Sequence, residues 1–317
     1  MAPGVVPSLH AAVLAFTAAG EGVIVQPPVY FPFFSAVTAT GRKLVENPLL
    51  FEDGRYRIDF AHLEQCAAEA RMLILCSPHN PVGRVWSEEE LRELLRIARK
   101  HRLLILSDEI HHDLVYPGRR HIPLATLAEP DDAIVTAVAP SKTFNIPGLG
   151  LSALVARQPE QRAKLRHAFD LLHVSGANPF SIAAFAAAYA HSADWLDALL
   201  DYLAASRDEV AASLVREVPG IRAVEAEGTY LLWLDCRAFC RERGMDDAAL
   251  QRFFIERARL GLSPGSLFGR GGEGFMRLNL GAPRALLREA ARRLIEAAGE
   301  AAGEAAGEAA GEAARDS

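Results

Sequence analysis

Short apolar runs recur through the first half of the chain, and they are continuous rather than alternating. "GVIVQ" from Gly22, "RKLVENPLL" from Arg42, "RMLILCSP" from Arg71, "RLLILSDEI" from Arg102, "AIVTAVAP" from Ala133 and "LSALVAR" from Leu151 each predict a strand. Between some of them, "IDFAHLEQCAAEA" and "SEEELRELLRIARKH" repeat apolar residues at helical spacing. Ser87 and Glu90 open the second of these with a capping-box pattern, which satisfies free N–H groups at a helix start. Strands apolar on both faces and separated by helices predict an α/β fold, a mostly parallel sheet flanked by helices.

The pattern changes after Arg157. Long Ala/Leu-rich helices run from "PEQRAKLRHAFDLL" through "SADWLDALLDYLAASRDEVAASLVREV". A strand pair ("IRAVEAEG", "TYLLWLD"), a helix ("DDAALQRFFIERARL"), a strand ("FMRLNLG") and a last helix ("RALLREAARRLIEAA") complete a smaller C-terminal α+β domain. The expected division is a large domain over 1–195, a small domain over 196–299 and an AAGE-repeat tail over 300–317. The glycines of that repeat weaken a helix, so a frayed or disordered tail is expected.

Composition narrows the classes. Half of the 317 residues are hydrophobic, enough for a large core. The net charge of −6, with no basic stripe, argues against nucleic acid and against a membrane surface as partner. Apolar stretches are too short and interrupted to span a bilayer. The start "MAPGVVPSLHAAV" lacks the basic region of a secretory signal. Cys66, Cys76, Cys236 and Cys240 form no C-x-x-C, which points to reduced thiols in a cytoplasmic protein.

In open α/β sheets, ligands sit beyond the carboxyl ends of the strands. Asn80, Asp108, and Ser141 with Lys142 all fall just after predicted strands, and Tyr30 lies in the turn after another. Lysine is costly to bury unless it is paired, neutralised or used covalently. An amine, a carboxylate, an amide and an aromatic ring at one sheet edge are what pyridoxal phosphate needs. That cofactor binds a lysine covalently and pairs its ring nitrogen with an acid.

With those residues in place, the chain resembles the fold-type I pyridoxal-phosphate enzymes of aminotransferase class I/II. Within them it is most similar to the MalY/PatB-type C–S lyases, which are cystathionine β-lyase-like. The resemblance rests on "PGVVPSL", "PVYFPFF", "GRKLVENPL", "LCSPHNPVGRVWS", "SDEIHHDLVYPG", "APSKTFNIPGLG", "EGTYLLWLD" and "GGEGFMRLNLGAPR", and it covers nearly all of the chain except the tail. It implies that Lys142 holds pyridoxal 5'-phosphate and moves the substrate's Cα proton, and that Asp108 keeps the ring nitrogen protonated. Asn80 would donate to the phenolic oxygen, Tyr30 would stack on the ring, and His111 would stand where many relatives carry a tyrosine near that oxygen. Gly4, the amides of Val5 and Val6 at a helix N-terminus, and Ser141 would take the phosphate. Arg277 would clamp the substrate carboxylate.

Other readings stand beside these. Strand alternation would turn His111 away from Asp108 unless the strand ends first. Neighbouring His111 and His112 point in different directions, and no third ligand has metal-site spacing, so no metal is expected. Arg284 reads as structural, and "GRGGEG" (269–274) as a flexible loop bordering the site. Ser77–Pro78 and Asn80–Pro81 are candidates for cis geometry. Aminotransferase relatives often carry a serine three residues before the lysine and an arginine eight after it, where this chain has Ala139 and Gly150. That departure favours α,β-elimination from a cystathionine or cysteine S-conjugate, giving thiol, pyruvate and ammonia, with transamination as the alternative. The resemblance further implies a homodimer. The chain opens directly at the expected phosphate loop, where relatives carry an N-terminal arm. The expectation is therefore an N-terminally truncated member, and a non-catalytic cofactor-binding or interaction protein is a further alternative. A nicotinamide enzyme is disfavoured, because no G-x-G-x-x-G follows the first strand.

Overall fold

The computed structural model describes residues 1–174 and 178–313. The strands are β1 (Gly22–Val25), β2 (Lys43–Glu46), β3 (Leu50–Glu52), β4 (Arg55–Arg57), β5 (Ala70–Cys76), β6 (Leu104–Asp108), β7 (Ile134–Val138), β8 (Ala153–Ala156), β9 (Arg222–Ala223), β10 (Leu231–Asp235), β11 (Ser263–Pro264) and β12 (Phe275–Asn279). The helices are α1 (Val5–Phe16), α2 (Pro32–Thr38), α3 (Phe60–Ala67), α4 (Glu88–His101), α5 (Pro159–Leu171), α6 (Pro179–His191), α7 (Ala193–Glu217), α8 (Arg237–Arg243), α9 (Asp247–Arg252) and α10 (Arg284–Ala313).

Six strands form one sheet in the order β2-β1-β5-β6-β7-β8. All neighbours are parallel except β7 and β8, which pair antiparallel. The continuous apolar runs follow from burial on both faces. Along β5, Leu73 and Leu75 pack under α3 and α4, while Met72, Ile74 and Cys76 pack toward α1 and α2. Ser87 caps α4 with the full reciprocal box, and Leu91, Leu94 and Leu95 are buried on its inner face. Each such leucine contributes about 1.5–3 kcal/mol. The predicted strand "RKLVENPLL" is split. β2 ends at Glu46, Pro48 has no N–H to continue a ladder, and Leu50 starts the β3–β4 hairpin.

A second, antiparallel sheet has the order β11-β12-β10-β9. Its core joins Leu203, Leu214, Phe239, Phe254 and Leu287 from the surrounding helices. The two sheets are not independent bodies. Trp233 of β10 stacks on Phe275 of β12 at 5.2 Å and donates from Nε1 to Tyr56 Oη at 3.1 Å. Arg84 and Glu227, both buried, pair at 2.9 Å across the same seam, and Arg55 reaches Glu227 at 2.6 Å. The expected division at 195/196 falls inside the first turn of α7, which starts at Ala193.

The tail differs from expectation. α10 continues through the AAGE repeat to Ala313. Alanine and glutamate are strong helix formers, and one glycine in four weakens a helix that α10 has already nucleated without stopping it. Residues 314–317 lie outside the described residues. Among the described residues, no helix is long and apolar enough to cross a membrane.

Candidate active site

The order β2-β1-β5 places consecutive connections on opposite sides of β1, and a crevice opens at such a switch point beyond the strand ends. In register, Cys76 and Asp108, which end β5 and β6, lie level with Ala137, one residue before the end of β7. The segments that follow them carry Asn80, His111 and Lys142. A cavity of about 780 Å³ opens there, and it is lined by Gly4, Val5, Val6, Tyr30, Asn80, Asp108, His111, Ser141, Lys142 and Arg277. All ten residues singled out from the sequence therefore converge on one cavity.

Lys142 sits in a tight turn after β7. Phe144 N–H donates to Pro140 O at 2.9 Å, and Ile146 N–H donates to Ser141 O at 3.1 Å. The neighbouring Thr143 is buried and donates to Asp113 Oδ2 at 3.0 Å, which ties the turn to the segment after β6. β6 stops at Asp108, so strand alternation does not govern His111. That residue lies in the following turn and faces the same cavity, buried against Tyr230 at 5.6 Å between ring centroids.

Also lining the cavity, Gly4 (φ 139°) precedes α1 in a conformation that favours glycine. The first turn of α1 has no acidic residue and no side-chain cap, so the Val5 and Val6 N–H groups stay open to an anion. Ala2 and Ser152 exchange two backbone hydrogen bonds of 2.8 Å and hold this helix start against the loop after Lys142. A Cβ at Gly150 would come within 2.8 Å of Pro3 O, which explains glycine there in physical terms.

The electrostatics are those of a site built to receive a partner. Burial pushes the Asp108 carboxyl up to about 7; the Ile110 N–H at 3.2 Å and Lys142 pull it down, while Glu109 adds to the rise. Burial pushes His111 down to about 3, with Lys142 and Arg277 acting in the same direction, and its Nδ1 has no hydrogen-bond partner. Burial also raises the Tyr30 hydroxyl and the Cys76 thiol, which sits beside Asp108 at the end of β5. Arg277 Nη1 donates to Asn80 Oδ1 at 2.9 Å and Nη2 to Ser263 Oγ at 3.3 Å, and the guanidinium lies 4.7 Å over Phe268.

Some details were not visible in the sequence. Tyr230 and Asn279 also line the cavity, although the apolar run and strand around them signal only core. Ser77–Pro78 and Asn80–Pro81 are cis, as the sequence suggested, and Pro27–Pro28, which it did not single out, is cis as well. The "GRGGEG" loop does not border the cavity. Gly269 packs on Phe34, where a Cβ would come within 2.5 Å of the ring, and a Cβ on Gly272 would come within 2.0 Å of Gly265 O. Its glycines serve tight packing. Arg284 is structural, donating to Ser206 Oγ at 3.3 Å and Tyr202 O at 3.2 Å.

The donor set fits pyridoxal 5'-phosphate. A buried carboxyl without a cationic hydrogen-bond partner, an unpartnered imidazole nitrogen, an amine, and open helix-start N–H groups occupy one cavity. Residues 1–294 match the family described as aminotransferase class I and II. The chain belongs to that family. It is 43% identical over 295 residues to cystathionine beta-lyase PatB of Bacillus subtilis, covering 92% of this chain and 75% of the relative. It is 33% identical to the MalY protein of Escherichia coli, covering 93% and 75%. The structure of cystalysin from Treponema denticola, which contains pyridoxal 5'-phosphate, superposes with a TM-score of 0.91 at 38% identity, covering 94% and 76%. The fold is thus that of this family, with its mostly parallel sheet and flanking helices.

Proposed function

We propose that this chain is a pyridoxal-phosphate-dependent carbon–sulfur lyase acting on a small sulfur-containing amino acid. The observation that carries the reading is the bracketing of one cavity by the Lys142 amine and the buried Asp108 carboxyl. Similarity to cystathionine beta-lyase PatB favours elimination over transamination.

When bound, the cofactor supplies an electron sink for the pair left at the substrate's Cα. Lys142 would hold the cofactor through its amine and, when that amine is free, would take the substrate's Cα proton. Asp108, which has no cationic hydrogen-bond partner among the described residues, would hold a proton at the ring nitrogen. Asn80 accepts from Arg277 through Oδ1, which leaves its N–H groups for the phenolic oxygen, with His111 beside it. Tyr30 covers the ring. The Val5 and Val6 amides, admitted by Gly4, and the Ser141 hydroxyl hold the phosphate. Arg277 takes the α-carboxylate. The electron sink would let the Cβ–S bond break with its electron pair on sulfur. Overall, R–S–CH2–CH(NH3+)–COO− and one water give RSH, pyruvate and NH4+.

The test is pyruvate release from a cysteine S-conjugate with no keto acid present. Amino transfer that needs a keto acid, without pyruvate release, would overturn the reading in favour of an aminotransferase. We assign the working form to a homodimer, because Leu171, Phe180 and Ile182 leave large apolar side chains exposed on α5 and α6. Four free cysteines fit a reducing compartment, the cytoplasm.

A further inference from the structure

A second chamber of about 470 Å³ opens beside the lysine turn. Ser141, Lys142, Pro147, Tyr230, Asn279 and Ala282 line both it and the main cavity. Beyond the uncharged polar Thr143 and Asn145 beside the lysine, its remaining walls are mainly apolar, with Leu114, Trp195, Leu199, Tyr202, Leu203 and Leu280. Leu114, Leu203 and Leu280 are buried, whereas Trp195 and Tyr202 are partly open. Among the described residues, Lys142 is the one charged residue on this lining, and the main cavity already engages it. Arg284 lies 4.4 Å over the Tyr202 ring but donates to Ser206 Oγ at 3.3 Å and Tyr202 O at 3.2 Å.

Across both cavities the acidic and basic side chains are Asp108, His111, Lys142 and Arg277. All four are assigned to the cofactor and to the amino-acid head of the substrate. Lys142, the base that takes the Cα proton, lines both cavities, so a group on Cβ is within reach of the second chamber. Resting on the lyase reading, we propose that this chamber receives the sulfur-bound group of the substrate and selects uncharged, apolar thiol substituents, alkyl or aryl. A substrate with a second amino-acid head would bring an ammonium and a carboxylate against leucine and tryptophan, with no counter-charge to meet them. Unpaired charges are penalised in such surroundings, and apolar groups gain from leaving water.

The experiment compares two ligands that cannot be cleaved, the carbon analogues of S-benzylcysteine and of cystathionine with a methylene in place of sulfur. Binding to the cofactor-loaded protein is measured by calorimetry. The benzyl analogue should bind at least about tenfold more tightly. Leu199→Glu, on a partly exposed wall, should weaken that ligand about tenfold while melting at a temperature close to wild type. Equal or tighter binding of the cystathionine analogue, or a Leu199→Glu variant that binds the benzyl analogue unchanged, would overturn the proposal. Pyruvate release from S-benzylcysteine and cystathionine, followed in parallel, judges the lyase reading separately. Its absence would remove that reading and leave the binding ratio to decide the chamber's preference.

Discussion

Asp108 and His111 are both sealed from solvent, and burial drives each toward its neutral form. Their effects on stability run in opposite directions. The Asp108 carboxyl rises from 3.8 to about 7, so in the cofactor-free protein its contribution is intact below about pH 4 and is lost as pH rises toward 7. His111 falls from 6.5 to about 3, so the native state gains stability as pH rises from about 3 to about 6.5. Asp108→Asn should remove the first effect, so the variant gains on wild type between pH 4 and pH 8 by up to about 4 kcal/mol. Melting temperatures across that range check this, and a pH-independent difference would contradict it. In the loaded protein the same substitution should lower turnover by at least about a hundredfold. An unchanged rate would remove Asp108 from the chemistry.

Among the elements, α1 and α4 separate function from stability. Gly150 lies where a Cβ would press on Pro3 O at 2.8 Å, next to the N–H groups that begin α1. Gly150→Val should move that helix start away from the lysine turn and weaken cofactor binding about tenfold or more, read by absorbance titration. Ser87→Ala removes the capping box of α4 and should lower stability by about 1 kcal/mol in a denaturant titration, with cofactor affinity unchanged. Equal effects of both substitutions on cofactor affinity would contradict the assignment. The strands were legible because burial on both faces leaves continuous apolar runs, and the site was legible because strand ends in this topology carry the polar residues. The rest was hidden for physical reasons. The place of His111 depends on where β6 stops, and the "GRGGEG" loop on Phe34, far away in sequence. The persistence of α10 reflects alanine and glutamate outweighing a regularly spaced glycine.

At the scale of the molecule, the seam joins the sheet that carries Arg277 to the sheet whose strands end at Cys76 and Asp108. Glu227 accepts from Arg84 Nε and Val85 N, both at 2.9 Å, deep in that seam. Glu227→Gln leaves buried Arg84 with one carboxylate partner fewer and should destabilise the fold by about 3–5 kcal/mol, measured in denaturant. A loss below about 1 kcal/mol would show that the seam is held by aromatic packing alone. Phe180→Asp with Ile182→Asp should shift the protein from dimer to monomer in light scattering, and an unchanged mass would place the interface elsewhere. The claim on which all of this depends is that one amine captures the cofactor. Of the four lysines in the chain, only Lys142 lines the cavity. Borohydride reduction of the loaded protein followed by peptide mass spectrometry should find the pyridoxyl group on Lys142. A label on Lys43, Lys100 or Lys164, or no label at all, would contradict the account.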